Sequence, residues 1–119
     1  METNIVGKTY ERPWGTYKTL EFGENFQVKK ITVNPKGRLS LQKHFKRAER
    51  WVVVEGAPTI TIGAETKAYQ IGDAVYIPKE TAHRMENLTD TPAAVIEVQL
   101  GSYLGEDDIV RLDDVYGRV

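Results

Sequence analysis

The chain has 119 residues, 40% hydrophobic and 28% charged, which fits one folded domain and excludes a wholly disordered polypeptide. Sixteen basic against seventeen acidic residues leave a net charge of -1, which argues against a nucleic-acid binder that relies on counterion release. With no cysteine, disulfides, zinc fingers, iron–sulfur clusters and thiol nucleophiles are excluded, so a metal must be held by the two histidines, carboxylates, amides or water.

Met1-Glu2-Thr3-Asn4 carries neither a basic n-region nor an apolar h-region, so no signal peptide is expected. Phe26–Val33 (FQVKKITV) is the first strong strand, closed by the turn Asn34-Pro35-Lys36-Gly37. Residues 38–43 (RLSLQK) alternate, and residues 50–54 continue extended to Glu55-Gly56. The run Trp51-Val52-Val53-Val54 is the longest apolar stretch, far too short to span a bilayer, so no membrane partner is expected and the cytoplasm is the default location. Residues 59–62 and 67–71 flank Gly63-Ala64-Glu65-Thr66 as a hairpin. Residues 74–77 stop at Pro78, residues 83–87 form another short strand, and residues 93–100 (AAVIEVQL) form the last strong one. The tail from Gly105 reads as a short helix or turn, with Glu106-Asp107-Asp108 ahead of Ile109-Val110-Arg111-Leu112.

Strands of this length and spacing predict an all-β barrel or sandwich. The chain divides into a core of about residues 26–100, an N-terminal arm at 1–25 and a C-terminal tail at 101–119.

Alternate residues of a strand share a face. Gln42 points with His44; Glu49 points with Trp51 and Val53; His83 points with Met85 and Asn87. If those faces meet inside a barrel, Gln42, His44, Glu49 and His83 converge, and two imidazoles, a carboxylate and an amide oxygen suit one divalent metal ion. Zinc, manganese, cobalt, nickel and iron(II) all accept such a set.

Gln42-Lys43-His44, four residues, Glu49, six residues, Gly56 resembles the first cupin motif. Gly72, five residues, Pro78, four residues, His83, three residues, Asn87 resembles the second. The resemblance is closer to one branch, the type II phosphomannose isomerases, whose cupin domain usually ends a bifunctional mannose-1-phosphate guanylyltransferase/mannose-6-phosphate isomerase. It runs through Arg12-Pro13-Trp14-Gly15, Arg38-Leu39-Ser40-Leu41-Gln42, Arg47-Ala48-Glu49, Tyr76-Ile77-Pro78 and His83-Arg84-Met85-Glu86-Asn87. It closes with Ile96-Glu97-Val98-Gln99 and the segment from Gly101 to Ile109, GSYLGEDDI.

That resemblance implies a cupin jelly-roll (double-stranded β-helix) and makes Gln42, His44, Glu49 and His83 the metal ligands. It implies interconversion of mannose 6-phosphate and fructose 6-phosphate by enediol proton transfer, a sugar-phosphate partner and, by family analogy, a homodimer. The alternatives are a non-catalytic sugar-phosphate-binding module and an isomerase for another sugar phosphate or nucleotide sugar. The chain departs from the branch at Phe45-Lys46 and Arg50, where further histidines are common, and at the Pro35-Lys36-Gly37 turn. The Gly-rich nucleotide signature does not occur in these residues, so no GTP-dependent activity is expected of them.

Arg47 and Glu97 are the candidate catalytic residues. Arg47 either grips substrate oxyanions or pairs with Glu49; Glu97 is a candidate base if its strand face lines the barrel. Arg12 either binds phosphate or helps dock the N-terminal arm. Lys43 is expected to face outward, only one of Lys29 and Lys30 can face the cavity, and Asn87 is expected to bond backbone. Trp51 and Tyr76 read as core residues rather than sugar platforms.

Overall fold

In a computed structural model, which describes residues 4–114, the chain forms eleven strands. They are β1 (Thr9–Arg12), β2 (Gly15–Phe22), β3 (Phe26–Val33), β4 (Leu41–Lys43), β5 (Ala48–Glu55), β6 (Thr59–Ile62), β7 (Glu65–Ala68), β8 (Ala74–Ile77), β9 (His83–Glu86), β10 (Ala93–Leu100) and β11 (Val110–Asp113). One sheet runs β1-β2-β3-β10-β5-β8 and the other β11-β4-β9-β6-β7, with every strand pair antiparallel. The jelly-roll implied by the resemblance is the architecture found. Among the described residues there is no helix, and so none long and apolar enough to cross a membrane.

The period-2 pattern of the strands decides what lies inside. On β3, Gln27, Lys29, Ile31 and Val33 point inward while Phe26 and Lys30 face solvent. On β10 the buried series is Val95, Glu97, Gln99, and on β5 it is Glu49, Trp51, Val53. Register aligns these series across the sheet. Gln99 lies opposite both Gln27 and Glu49, Glu97 opposite both Lys29 and Trp51, and Val95 opposite both Ile31 and Val53. Each inward face is therefore apolar at one end and polar at the other. Ile31, Val33, Val53 and Val95 join Trp14, Leu39, Ile60 and Met85 in a closed core, and the polar ends make a mouth.

Two expectations are changed. Residues 9–22 of the arm are built into the six-stranded sheet, because β1 and β2 extend it antiparallel from β3, with Trp14 and Tyr17 buried. In the tail the turn is present at 106–107, but the residues after it run extended. β11 pairs antiparallel with β4, where the backbone edge of β4 supplies partners that a helix would leave unused.

Candidate metal and substrate site

His44, just after β4, Glu49 in β5 and His83 at the start of β9 meet inside the mouth, with one potential ligand atom from each lying within 4.8 Å of the others. All three are buried. His44 Nδ1 lies 2.6 Å from the Asp108 carbonyl oxygen and His83 Nδ1 lies 2.9 Å from that of Thr81. Each Nδ1 therefore donates to its carbonyl, which leaves both Nε2 atoms near Glu49, at 3.4 Å for His44 and 3.9 Å for His83. His83 Nε2 is buried with no hydrogen-bond partner among the described residues, an orphan that a cation would satisfy. The donor set fits a divalent ion. Gln42 stands opposite His83 in the β4–β9 pair and lines a cavity with His44, its Oε1 accepting from Ser40 Oγ at 3.2 Å.

In this structure the cation beside Glu49 is Arg47. Its Nε donates to Glu49 Oε2 at 2.7 Å, and one terminal nitrogen lies 3.1 Å from His44 Nε2. Both readings of Arg47 thus hold at once: it pairs with Glu49 and it lines the cavity. Burial, and next the Arg47 charge, push His44 down to about 4, so its ring is neutral at physiological pH.

Glu97 faces inward and lines the cavity. Its Oε1 accepts from Gln99 Nε2 at 2.8 Å, and Trp51 Nε1 donates to Glu97 Oε2 at 3.2 Å and to Glu49 Oε1 at 2.9 Å. Burial and the neighbouring Glu49 charge push the Glu97 carboxyl well up. Burial would raise Glu49 too, but Arg47, a hydrogen bond from Glu97 and the two imidazoles outweigh it and hold Glu49 below the carboxylate range. The two carboxyl groups are thus pushed in opposite directions, Glu97 up and Glu49 down. Behind Glu97 a buried amide chain continues: Gln27 Nε2 donates to Gln99 Oε1 at 3.0 Å, while Thr19 Oγ1 and Asn4 Nδ2 donate to Gln27 Oε1 at 3.2 and 3.3 Å.

Four cationic side chains line the cavity: Arg12, Lys29, Arg47 and Arg111. Tyr17 is a platform for two of them, with Lys29 Nζ 4.4 Å and the Arg12 guanidinium carbon 5.1 Å from its ring centre. Arg12 also donates to the Tyr17 hydroxyl at 3.2 Å. Of the lysine pair, Lys29 is the inward one. Lys43 lies outside the cavity lining with its ammonium over the Phe45 ring, as the alternation predicts. Asn87 Nδ2 bonds the carbonyls of Val33 and Thr91, a structural role. Trp51 is a core residue that also donates into the site. Tyr76 is not: it is 46% exposed on the outer face under Arg50, because it alternates with the buried Val75 and Ile77.

In sequence the acidic run suits the cap of a terminal helix; with no helix among the described residues, it lies against the site instead. Asp108 accepts the backbone N–H groups of Phe45 and Lys46 at 3.0 and 2.9 Å, pinning the loop that carries His44 and Arg47. Glu106 meets Lys29 at 2.9 Å and Arg47 at 3.7 Å. These contacts span 59 to 77 residues of sequence, so no local pattern announces them.

The family model for "Mannose-6-phosphate isomerase C-terminal" matches residues 2–114. Alginate biosynthesis protein AlgA of Pseudomonas aeruginosa is 52% identical over 107 residues, 90% of this chain and 22% of that protein. Mannose-1-phosphate guanylyltransferase of Escherichia coli K12 is 48% identical over 114 residues, 96% of this chain and 24% of that protein. The chain therefore spans about a quarter of the length of these relatives. Among solved structures, KdgF from Halomonas sp. superposes with a TM-score of 0.76 at 16% identity, covering 90% of this chain and 98% of that one. The cupin domain of Schizosaccharomyces pombe Cnp3 gives a TM-score of 0.69 at 10% identity, over 72% and 64% of the two chains. With a cupin fold and a family match over nearly its whole length, the chain belongs to the mannose-6-phosphate isomerase C-terminal family.

Proposed function

We propose that the chain is a metal-dependent isomerase interconverting mannose 6-phosphate and fructose 6-phosphate. The observation that carries this reading is a buried His–Glu–His donor set that shares His44 with a cavity lined by Glu97 and four cations. His44, Glu49 and His83 would hold the metal, with Gln42 beside them. A divalent ion held there would supply Lewis-acid stabilisation of negative charge on the sugar oxygens. Zinc, manganese, cobalt, nickel and iron(II) all suit the donors.

The remaining work falls to the chain itself. Moving a proton between C1 and C2 requires a group that takes it and returns it; Glu97, whose carboxyl is pushed up, would take it as the carboxylate and return it as the acid. Gln99 and Trp51 hold one Glu97 oxygen each, so the carboxyl presents a fixed edge to the cavity. Arg47 and Lys29 supply positive charge where substrate oxyanions enter, and the closed apolar end excludes water from beneath the site.

The test is a coupled assay of mannose 6-phosphate conversion by chelated protein reconstituted separately with each divalent metal. Turnover is expected with at least one metal, and Glu97→Gln should abolish it while sugar-phosphate binding persists. Binding without turnover across all metals would support a sugar-phosphate-binding module instead. Turnover confined to another member of a sugar-phosphate panel would reassign the substrate.

A further inference from the structure

Lys29 sits at the centre of β3, its side chain only 5% exposed, and beside the Tyr17 ring its ammonium has one hydrogen-bond acceptor among the described residues, Glu106 Oε2 at 2.9 Å. That same oxygen is the one 3.7 Å from Arg47. The two cations are fixed: one stands in a central strand, the other is held by Glu49. Glu106 is the exposed partner, 42% accessible, on a turn outside both sheets. Buried cations require an anion, and here it is the member of the cluster with the fewest anchors.

A third donor in the same cavity is unanswered. Arg111 Nε is buried and has no hydrogen-bond partner among the described residues. Among the described residues, Glu106 is the carboxylate that meets two of the four lining cations at once. A phosphate group offers three oxygens where Glu106 brings one to bear.

We propose that Glu106 is a displaceable stand-in for substrate phosphate: the phosphate group binds on Lys29, Arg47 and Arg111 by expelling the Glu106 carboxylate, and the turn that carries Glu106 moves aside with it. This gives the GSYLGEDDI segment two distinct jobs. Asp108 anchors it to the His44 loop, and Glu106 keeps the phosphate subsite electrically closed until the ligand arrives. The inference rests on reading the cavity as a sugar-phosphate site, but not on catalysis.

Calorimetric titration with inorganic phosphate, mannose 6-phosphate and unphosphorylated mannose separates the two. Glu106→Gln keeps the side-chain shape and removes the competing charge, so both phosphate ligands should bind about tenfold more tightly, with mannose unaffected. Lys29→Gln should weaken both phosphate ligands by tenfold or more. An unchanged or weakened phosphate affinity in Glu106→Gln overturns the proposal, because a carboxylate that merely braces the site would be missed rather than evicted. In the wild-type protein, backbone amide resonances of residues 104–109 should shift saturably with added phosphate. Phosphate binding that leaves them unmoved, or no binding at all, also overturns it and needs no variant to fold. Tighter phosphate binding in Glu106→Gln without any isomerase turnover would uphold the stand-in and remove the isomerase; turnover without the affinity gain would do the reverse.

Discussion

Stripping divalent metal from the protein should lower its thermal midpoint by about 10 °C, and His83→Ala should erase most of that difference. A ligand bound only by the native state at a hundred times its dissociation constant stabilises by about 2.7 kcal/mol. For a domain of this size each kcal/mol moves the midpoint by about 4 °C. His83 is the informative position because its Nε2 has no hydrogen-bond partner among the described residues, so the ring's polar edge gains a partner only with a cation. The substitution also opens space in a region where His83 is 1% exposed and packs edge-on to Trp51, at a cost of about 2 kcal/mol. The comparison is therefore made within each protein, chelated against metal-loaded, by scanning calorimetry with metal content verified. An equal shift in both proteins, or none in the wild type after verified removal, would refute the assignment of His44, Glu49 and His83 as the ligands.

Three further outcomes are expected. In metal-free protein, His44 is pushed down to about 4 by burial, with Arg47 reinforcing and Glu49 and the Asp108 carbonyl opposing. The unfolded chain then binds a proton near pH 6.5 that the folded chain refuses until about pH 4, so stability is lost as pH falls through that window. Because the lifted Glu97 acts in the opposite sense, the effect is isolated as the difference between wild type and His44→Gln. Urea denaturation should show wild type losing about 3 kcal/mol relative to the variant between pH 6.5 and 4, and a flat difference there would contradict the buried neutral imidazole. Asp108→Ala leaves the Phe45 and Lys46 amides without their acceptors; chemical denaturation should report a loss of about 2 kcal/mol, and calorimetry at least a tenfold weaker metal site. Gly56→Ala should destabilise by at least about 2 kcal/mol in a thermal melt, since Gly56 has φ +70° and a Cβ there would lie 2.4 Å from the Pro92 carbonyl oxygen. A neutral result would mean that the close approach between this turn and the segment before β10 is soft.

What could be read in advance was whatever a period of two or a short spacing encodes. β3, β8 and β10 have the expected bounds because β-branched runs end there at Asn, Pro and Gly. Gln42, His44, Glu49 and His83 lie on faces that alternation alone specifies, and the inward turn of Glu97 follows from Val95 two residues before it. β1 and β2 escaped notice because Thr9–Arg12 and Lys18–Phe22 are largely polar and exposed; their pairing with β3, rather than their composition, makes them strands. The contacts of Glu106 and Asp108 were illegible for a different reason. Each depends on a chain reversal that returns residues 104–109 to a strand and a loop laid down some sixty or more residues earlier.

Every long strand of the barrel runs from the apolar core into the polar mouth, so a single register serves both ends. A slip of one residue along β3, β5 or β10 would turn Lys29, Glu49 and Glu97 outward and carry Lys30, Arg50 and Ile96 into their places. The same slip would expel Val33, Val53 and Val95 from the sealed end, where they are at most 2% exposed. The greasy half of each strand thus works as an alignment jig for the half that holds the chemistry. Misplacing a charged group by one position requires dismantling the core first, so the placement of the site inherits the cooperativity of the whole fold rather than depending on its own weak polar contacts.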